Sequence, residues 1–324
     1  MSDVKKYKKE FLHKALEDML LIRRFEEKTA QMYGLRKIGG FLHLYNGQEA
    51  VAVGAVAAVD LAKDYLLTSY RDHGHGLAVG MSPDAIMAEM FGKITGCARG
   101  KGGSMHMFDV DRHFLGGNGI VGGQIPMATG VAFKQMYDND GGVTLCFFGD
   151  GAIHQGAFHE SLNYAKIWNL PIIYIVENNH FGMGTAVSRV SGVEDFSVKA
   201  AGYGLKGKVI NGMDFLDVYE GLVPVIKDAR KNGSAWLLDI KTYRYKGHSA
   251  SDPAKYRTKE ELESYKKQDP IVQLKLQMVE AQLITEDEFK SLDDQIKKRV
   301  QEAVDFAEKS EEPALHTMYE DIYA

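Results

Sequence analysis

Cysteine is scarce: the 324 residues include two, Cys97 and Cys146. Two thiols close at most one bridge, which excludes a disulfide framework and fits a reducing compartment. Cys146 lies in an apolar run and reads as a small core residue. Long apolar runs are missing too. No stretch reaches about 18 apolar residues, so no membrane span is expected. The opening MSDVKKYKKEFLHKALEDML has no uninterrupted apolar core and no small-residue cleavage site. Its acidic residues are unlike those of a transit peptide. A cytoplasmic protein is the expectation. An excess of basic charge is also absent, because the net charge is −5. Lys5, Lys6, Lys8 and Lys9 form the one basic cluster and read as a solvated helix face. Nucleic acid requires a concentrated basic face, so none is expected as a partner. There is no internal repeat and no low-complexity linker.

What remains is an ordinary globular composition, 45% hydrophobic and 26% charged. Apolar residues at helical spacing predict a helix over 7–33, and an Ala- and Val-rich stretch predicts another over 48–62. Tyr65–Ser69 reads as a short strand, and Ser82-Pro83 as the start of a helix reaching Phe91. Val143–Phe148 and Pro171–Val176 are continuous apolar runs, the pattern of strands buried on both faces. A helix over Ile153–Trp168 joins them, giving a βαβ unit with parallel strands and a right-handed crossover. A helix near 214–231 leads to another strand, Trp236–Thr242. The fold class is therefore α/β, a mostly parallel sheet with helices on both faces. Residues 1–254 form its main part, and the charged, glycine-poor residues 255–324 form a helical C-terminal arm of the same unit.

Glycine is concentrated: 15 of 34 fall within residues 96–156. Mobile loops would explain this, but backbone that must approach something closely explains it better, since reactive side chains are interleaved. Gly149-Asp150-Gly151 follows the first buried strand, and Glu177-Asn178-Asn179 follows the second. One crossover returns Asn179 beside Asp150 at the carboxyl edge of the sheet, where open α/β sheets bind ligands. A carboxylate and an amide carbonyl are hard oxygen donors suited to Mg²⁺, which completes its shell with phosphate oxygens and water. Gly151 and Ala152 lead into the helix, whose free N–H groups favour an anion. Each tripeptide alone reads as a turn or a cap. At this spacing the pair predicts a magnesium-bridged diphosphate.

The motif and its flanks resemble a known family. The stretch GDGAIHQGAFHESLNYAKIWNLPIIYIVENNHFGMGT is similar to the alpha subunit of thiamine diphosphate-dependent, two-component 2-oxo acid dehydrogenases. So are FLHLYNGQEA (41–50), SYRDHG (69–74), ARGKGGSMHM (98–107), FLGGNGIVGGQIP (114–126) and YRYKGHSASDP (243–253). The resemblance implies the thiamine diphosphate-binding fold. It assigns Asp150, Asn179 and the carbonyl of Phe181 to Mg²⁺, and Gly151 and Ala152 to the diphosphate. Arg71 would clamp the diphosphate, as guanidinium suits it, with Tyr70 packing beside the cofactor. Gly119 and Val121 would contact the aminopyrimidine through their backbone. Met183 would wedge against the cofactor, although core packing accounts for it equally well. His248 would lie near the diphosphate and reacting carbon, and His43 at the substrate entrance, either one able to donate or shuttle a proton at neutral pH. Ser249 and Ser251 match a loop phosphorylated in mitochondrial relatives, and no phosphorylation is inferred. No role is assigned within 108–115.

The resemblance further implies oxidative decarboxylation of a small 2-oxo acid, with acyl transfer to the lipoyl group of a dihydrolipoamide acyltransferase. Pyruvate ranks first, acetoin dehydrogenation second and branched-chain substrates third. After residue 255 no second sheet is expected. A beta subunit would then supply the missing half of the site in an α2β2 heterotetramer. Two other readings compete. Gly117–Gly122 spells GxGxxG, but the preceding FDVDRHFL is a poor strand for a dinucleotide fold. A non-catalytic scaffold would have lost Asp150, Asn179 or Arg71, and all three are present.

Overall fold

The computed structural model describes residues 3–322. Helix α1 (Lys9–Gly34) buries Leu12, Leu16, Met19, Ile22 and Phe25 along one face. Helix α2 (Glu49–Ala58) stops four residues before the expected end, where Val59 turns extended. Strand β1 (Tyr65–Leu67) is followed by a short helix α3 (His73–Ala78), which the sequence reading did not anticipate. Ser82 caps α4 (Pro83–Met90) through its side chain, with proline at the first turn as expected. Helix α5 (Gln124–Asp138) was also unanticipated, because its glycine and proline disguise the helical period.

Strands β2 (Thr144–Gly149) and β3 (Ile172–Asn178) are buried along their lengths, and they pair in parallel. The connection differs from the single expected helix. A 3-10 turn over Asp150–His154 comes first, and α6 (Gly156–Ile167) begins only after Gln155 turns extended. Gly151 and Ala152 therefore belong to a tight turn and not to the first turn of α6. A two-residue hairpin follows, β4 (Phe181–Gly182) against β5 (Thr185–Ala186), leading to the single turn α7 (Val187–Val190). Strand β6 (Lys206–Asn211) has no continuous apolar run, because it lies at the sheet edge with mostly exposed side chains. Asp214 caps α8 (Phe215–Asn232), which leads into β7 (Trp236–Lys241).

The main sheet has five strands in the order β1-β2-β3-β7-β6, all parallel. Helices cover both faces, as in α/β folds generally. Helices α9 (Lys259–Lys266), α10 (Pro270–Glu280) and α11 (Glu286–Lys309) follow. A capping box of Thr285 and Glu288 starts α11. Its apolar face (Ile296, Val300, Ala303, Val304) enters the same core as α1, α4 and the sheet. Arg23 on α1 donates to Glu49 on α2 at 2.5 Å and to Asp269, the cap of α10, at 2.8 Å. Breaking such a buried ion pair costs about 3–5 kcal/mol, so this triad fastens the helical arm to the layer beside the site.

Before Gly117 the chain makes only a 3-10 turn (Val110–Arg112) and isolated bridges through Phe114, so GxGxxG lacks its strand. Cys146 is buried and Cys97 partly so, and both thiols are free. Among the described residues no helix is long and apolar enough to cross a membrane.

Candidate active site

The register pairs Gly149 with Glu177, so β2 and β3 end side by side. Asp150 and Asn179 follow those ends, and both are buried. They open onto a cavity of about 220 Å³. Of the sequence-predicted residues, Tyr70, Arg71, Val121, Asp150, Gly151, Ala152, Asn179, Phe181, Met183 and His248 line it. Gly119 and His43 stand outside its wall. Gly119 abuts the His106 ring, whose atoms lie 3.2 Å from where a Cβ would stand. The His43 ring packs 4.5 Å from Tyr70 and 5.0 Å from His248, so it backs the wall from behind.

Burial raises the Asp150 carboxyl to about 6, against the lowering effect of the Arg244 charge. This carboxylate has been desolvated without full compensation. The Asn179 amide nitrogen donates to Gln48 Oε1 at 2.8 Å, which leaves Asn179 Oδ1 as an acceptor. Gln48 Nε2 and Gln124 Oε1 are buried with no partner among the described residues, and both residues belong to the cavity wall. A Cβ on Gly151 would stand 3.5 Å from the Gly182 Cα, so two glycine backbones face each other across the mouth.

Two guanidinium groups share this interior. Arg71 donates to the carbonyls of Leu44 at 2.6 Å and His248 at 2.8 Å, which commits two of its five donors. Burial, reinforced by the Arg244 charge, lowers its pKa to about 10. Arg244 donates to the carbonyls of Phe181 at 3.2 Å and Met183 at 2.9 Å and to the Tyr256 hydroxyl at 2.7 Å. It thereby holds the β4–β5 hairpin and the left-handed Met183 at φ 54°. Tyr256 donates in turn to Asp252, which also accepts the His248 N–H at 2.7 Å. Among the described residues neither guanidinium forms an ion pair with a carboxylate. Two such charges in a closed interior favour an anionic guest.

Both histidines are neutral at pH 7. Burial and then the Arg71 charge push His43 down to about 3 and His248 to about 4. Each leaves Nδ1 buried with no partner among the described residues. They are therefore acceptors or neutral donors here, not standing acids. Glu177 lines the cavity as well, raised to about 7 by burial and bonded by the Tyr45 hydroxyl. Gln48, Gln124, Glu177 and Arg244 were missed from the sequence. The signals were a glutamate ending an apolar strand and polar residues inside blocks already set apart.

The donor set is a carboxylate, an amide oxygen and a backbone carbonyl. It suits a hard divalent cation with phosphate oxygens completing its shell. The unpaired guanidinium charge and the orphaned amide atoms suit a polar, anionic cofactor. The residues thus fit Mg²⁺ and a diphosphate. Among the described residues no group of three or more His, Cys, Asp or Glu side chains could hold a metal, so a histidine- or thiolate-rich centre has no support here.

The sequence profile of the family "Dehydrogenase E1 component" matches residues 17–316. The chain is 47% identical over 320 residues to "Pyruvate dehydrogenase E1 component subunit alpha" of Rickettsia bellii (strain RML369-C), covering 98% of each. It is 47% identical over 320 residues to the protein of that name from Rhizobium meliloti (strain 1021), with 98% and 92% covered. With that of Porphyra purpurea it shares 42% over 322 residues, with 96% and 93% covered. Similarity along nearly the full length has one consequence: the chain belongs to the dehydrogenase E1 component family.

Proposed function

We propose that this chain is the alpha subunit of a cytoplasmic pyruvate dehydrogenase, working with a beta subunit in an α2β2 heterotetramer. It would pass the acyl group to the lipoyl group of a dihydrolipoamide acyltransferase. The observation that carries this reading is the buried Asp150–Asn179 pair beside two guanidiniums with no carboxylate partner among the described residues. When bound, thiamine diphosphate supplies the carbon nucleophile and electron sink that decarboxylation of a 2-oxo acid requires.

The protein groups bind and orient. Asp150, Asn179 Oδ1 and the Phe181 carbonyl hold Mg²⁺. The Phe181 oxygen also accepts Arg244 Nη1 at 3.2 Å, and a carbonyl oxygen has two lone pairs. Gln48 fixes the Asn179 amide so that its oxygen is the metal-facing atom. Arg71 clamps the diphosphate from a guanidinium already anchored on Leu44 and His248. The Gly151 and Ala152 backbone lets phosphate approach where a longer side chain would block it. Gly119 and Val121 support the aminopyrimidine, Tyr70 and Met183 pack against the cofactor, and His43 lines the entrance. His248 presents a neutral imidazole able to hydrogen-bond the substrate carboxylate or take a proton at Nδ1.

Dye reduction by the co-purified α/β assembly, with Mg²⁺ and thiamine diphosphate, tests the reading. Pyruvate, acetoin and 3-methyl-2-oxobutanoate are offered in parallel, and pyruvate is expected to give the highest kcat/KM. A higher value for either alternative would overturn the substrate. No cofactor-dependent turnover with any of them would overturn the class.

A further inference from the structure

Glu26, His73 and Ser104 come from α1, α3 and a short 3-10 turn, yet they meet in the interior. Glu26 and His73 are fully buried, and Ser104 is 5% exposed. His73 Nδ1 donates to both Glu26 oxygens at 3.0 Å. His73 Nε2 lies 2.9 Å from Ser104 Oγ and 3.1 Å from the Ser104 carbonyl. The order copies the serine–histidine–acid arrangement of hydrolases. The protonation does not, because a carbonyl oxygen only accepts, so Nε2 must carry a proton as well. Burial alone would lower the His73 pKa. The charge and hydrogen bond of Glu26, with Asp72, outweigh it and hold the pKa above the ordinary value. With Nδ1 on Glu26 and Nε2 on the Ser104 carbonyl, both ring nitrogens are engaged as donors, so His73 is not placed to take the serine proton. A paired and fully hydrogen-bonded buried charge instead fixes geometry.

What it fixes is the strip His43-Leu44-Tyr45. The His43 N–H donates to Ser104 Oγ at 3.4 Å, and the Tyr45 N–H to Glu26 Oε1 at 2.8 Å. Between them, the Leu44 carbonyl receives Arg71 Nη1 at 2.6 Å. Three consecutive residues are thus pinned, and the outer two pins are the two ends of one network bridged by His73.

We propose that Glu26, His73 and Ser104 are positioning residues that hold the 43–45 strip so that Leu44 aims Arg71, and His43 braces Tyr70 and His248, at the diphosphate end of the cavity. The network touches no reacting group itself. This inference rests on the cofactor reading above, and its test separates the two.

The test uses the assembled α/β protein with Ser104→Ala and Ser104→Thr. Hydrogen exchange is followed in the peptide covering 42–46, and thiamine diphosphate affinity is measured with Mg²⁺ by calorimetry. Ser104→Ala should speed exchange there and weaken the cofactor by about tenfold, the size of one lost buried hydrogen bond. Ser104→Thr, which keeps the hydroxyl, should restore both. Glu26→Gln keeps the shape but neutralises His73, sets a bare Nε2 against the Ser104 carbonyl, and should give the same two changes if Ser104→Ala does not assemble. Exchange and affinity both within about twofold of the parent would overturn the proposal, as would failure of Ser104→Thr to restore them. A parent assembly that binds no cofactor would refute the cofactor reading instead, while exchange at 42–46 would still report on the network.

Discussion

Two glycine-rich regions of this molecule surround buried carboxylates and use them in opposite ways. In the loop over 96–103 the backbone folds around Glu89, which is fully buried. Its Oε2 accepts the N–H groups of Ala98 at 2.8 Å and Gly100 at 2.9 Å, and its Oε1 those of Gly102 at 2.7 Å and Gly103 at 3.0 Å. The glycines let the chain close on its own anion. At 149–151 the glycines leave room instead. No heavy atom would stand within 4 Å of a Cβ at Gly149, and the Asp150 carboxyl is pushed up to about 6. A carboxylate already supplied with four donors is architecture. A carboxylate whose burial outweighs the Arg244 charge and the N–H groups of Asp150 and Gly151, beside an amide oxygen, awaits a cation. Glycine density alone did not separate the two cases, and the partners of each carboxylate do.

Removing the carboxylates breaks the comparison most sharply. Glu89→Ala strands four N–H groups, and one buried unsatisfied donor already costs about 1–3 kcal/mol. Urea unfolding of the cofactor-free protein should show a loss above about 3 kcal/mol, and a loss below about 1 kcal/mol would contradict it. Asp150→Ala should do the reverse. Unfolding stability should hold or rise, because a poorly compensated buried charge is gone. Cofactor-dependent activity should fall more than about a hundredfold, beyond the effect of outer-shell metal partners.

Asp72 sits between these cases. One oxygen accepts the Met107 N–H at 3.1 Å, and Oδ1 is buried with no partner among the described residues. Burial raises its pKa to about 7, against about 3.9 in the unfolded chain. The native state therefore holds the proton more tightly, and stability falls as pH rises from about 4 to 7. Asp72→Asn should flatten that slope and add about 1–2 kcal/mol at pH 8, part of the gain being lost at the Met107 contact. An unchanged slope in urea melts across this range would count against the assignment.

The smallest effects compare single glycines. Gly100 has φ +78°, and a Cβ there would stand 2.5 Å from the Gly92 carbonyl oxygen. Gly100→Ala should cost at least about 1–2 kcal/mol. Gly151→Ala meets only ordinary contact and should change stability by less than about 0.5 kcal/mol while weakening thiamine diphosphate. Equal stability losses in the two variants would erase the distinction between closed and open glycine regions.

The buried strands were legible in the sequence because a central parallel strand must be apolar on both faces, as β2 and β3 are. The Asp150–Asn179 pairing was legible for the same reason, since chain distance across one crossover fixes which strand ends meet. Strand β6 was not legible, since an edge strand such as KGKVIN carries no such pattern. Nor was the 3-10 turn after Asp150, whose residues suit a helix as well. Arg244 and Gln48 stayed hidden because their roles depend on hydrogen bonds between residues 61 to 131 positions apart. In the sequence the glycines of ARGKGGS were not separable from those of Gly149-Asp150-Gly151, for a physical reason. Glycines that cradle a phosphate and glycines that cradle Glu89 look alike until the anion is identified.

The most direct test is calorimetric titration of thiamine diphosphate, with and without Mg²⁺, into the α/β assembly carrying the parent chain, Asp150→Ala or Glu89→Gln. The account predicts Mg²⁺-dependent binding by the parent, retained binding by Glu89→Gln and none by Asp150→Ala. Binding that survives in Asp150→Ala, or that ignores Mg²⁺, would contradict it.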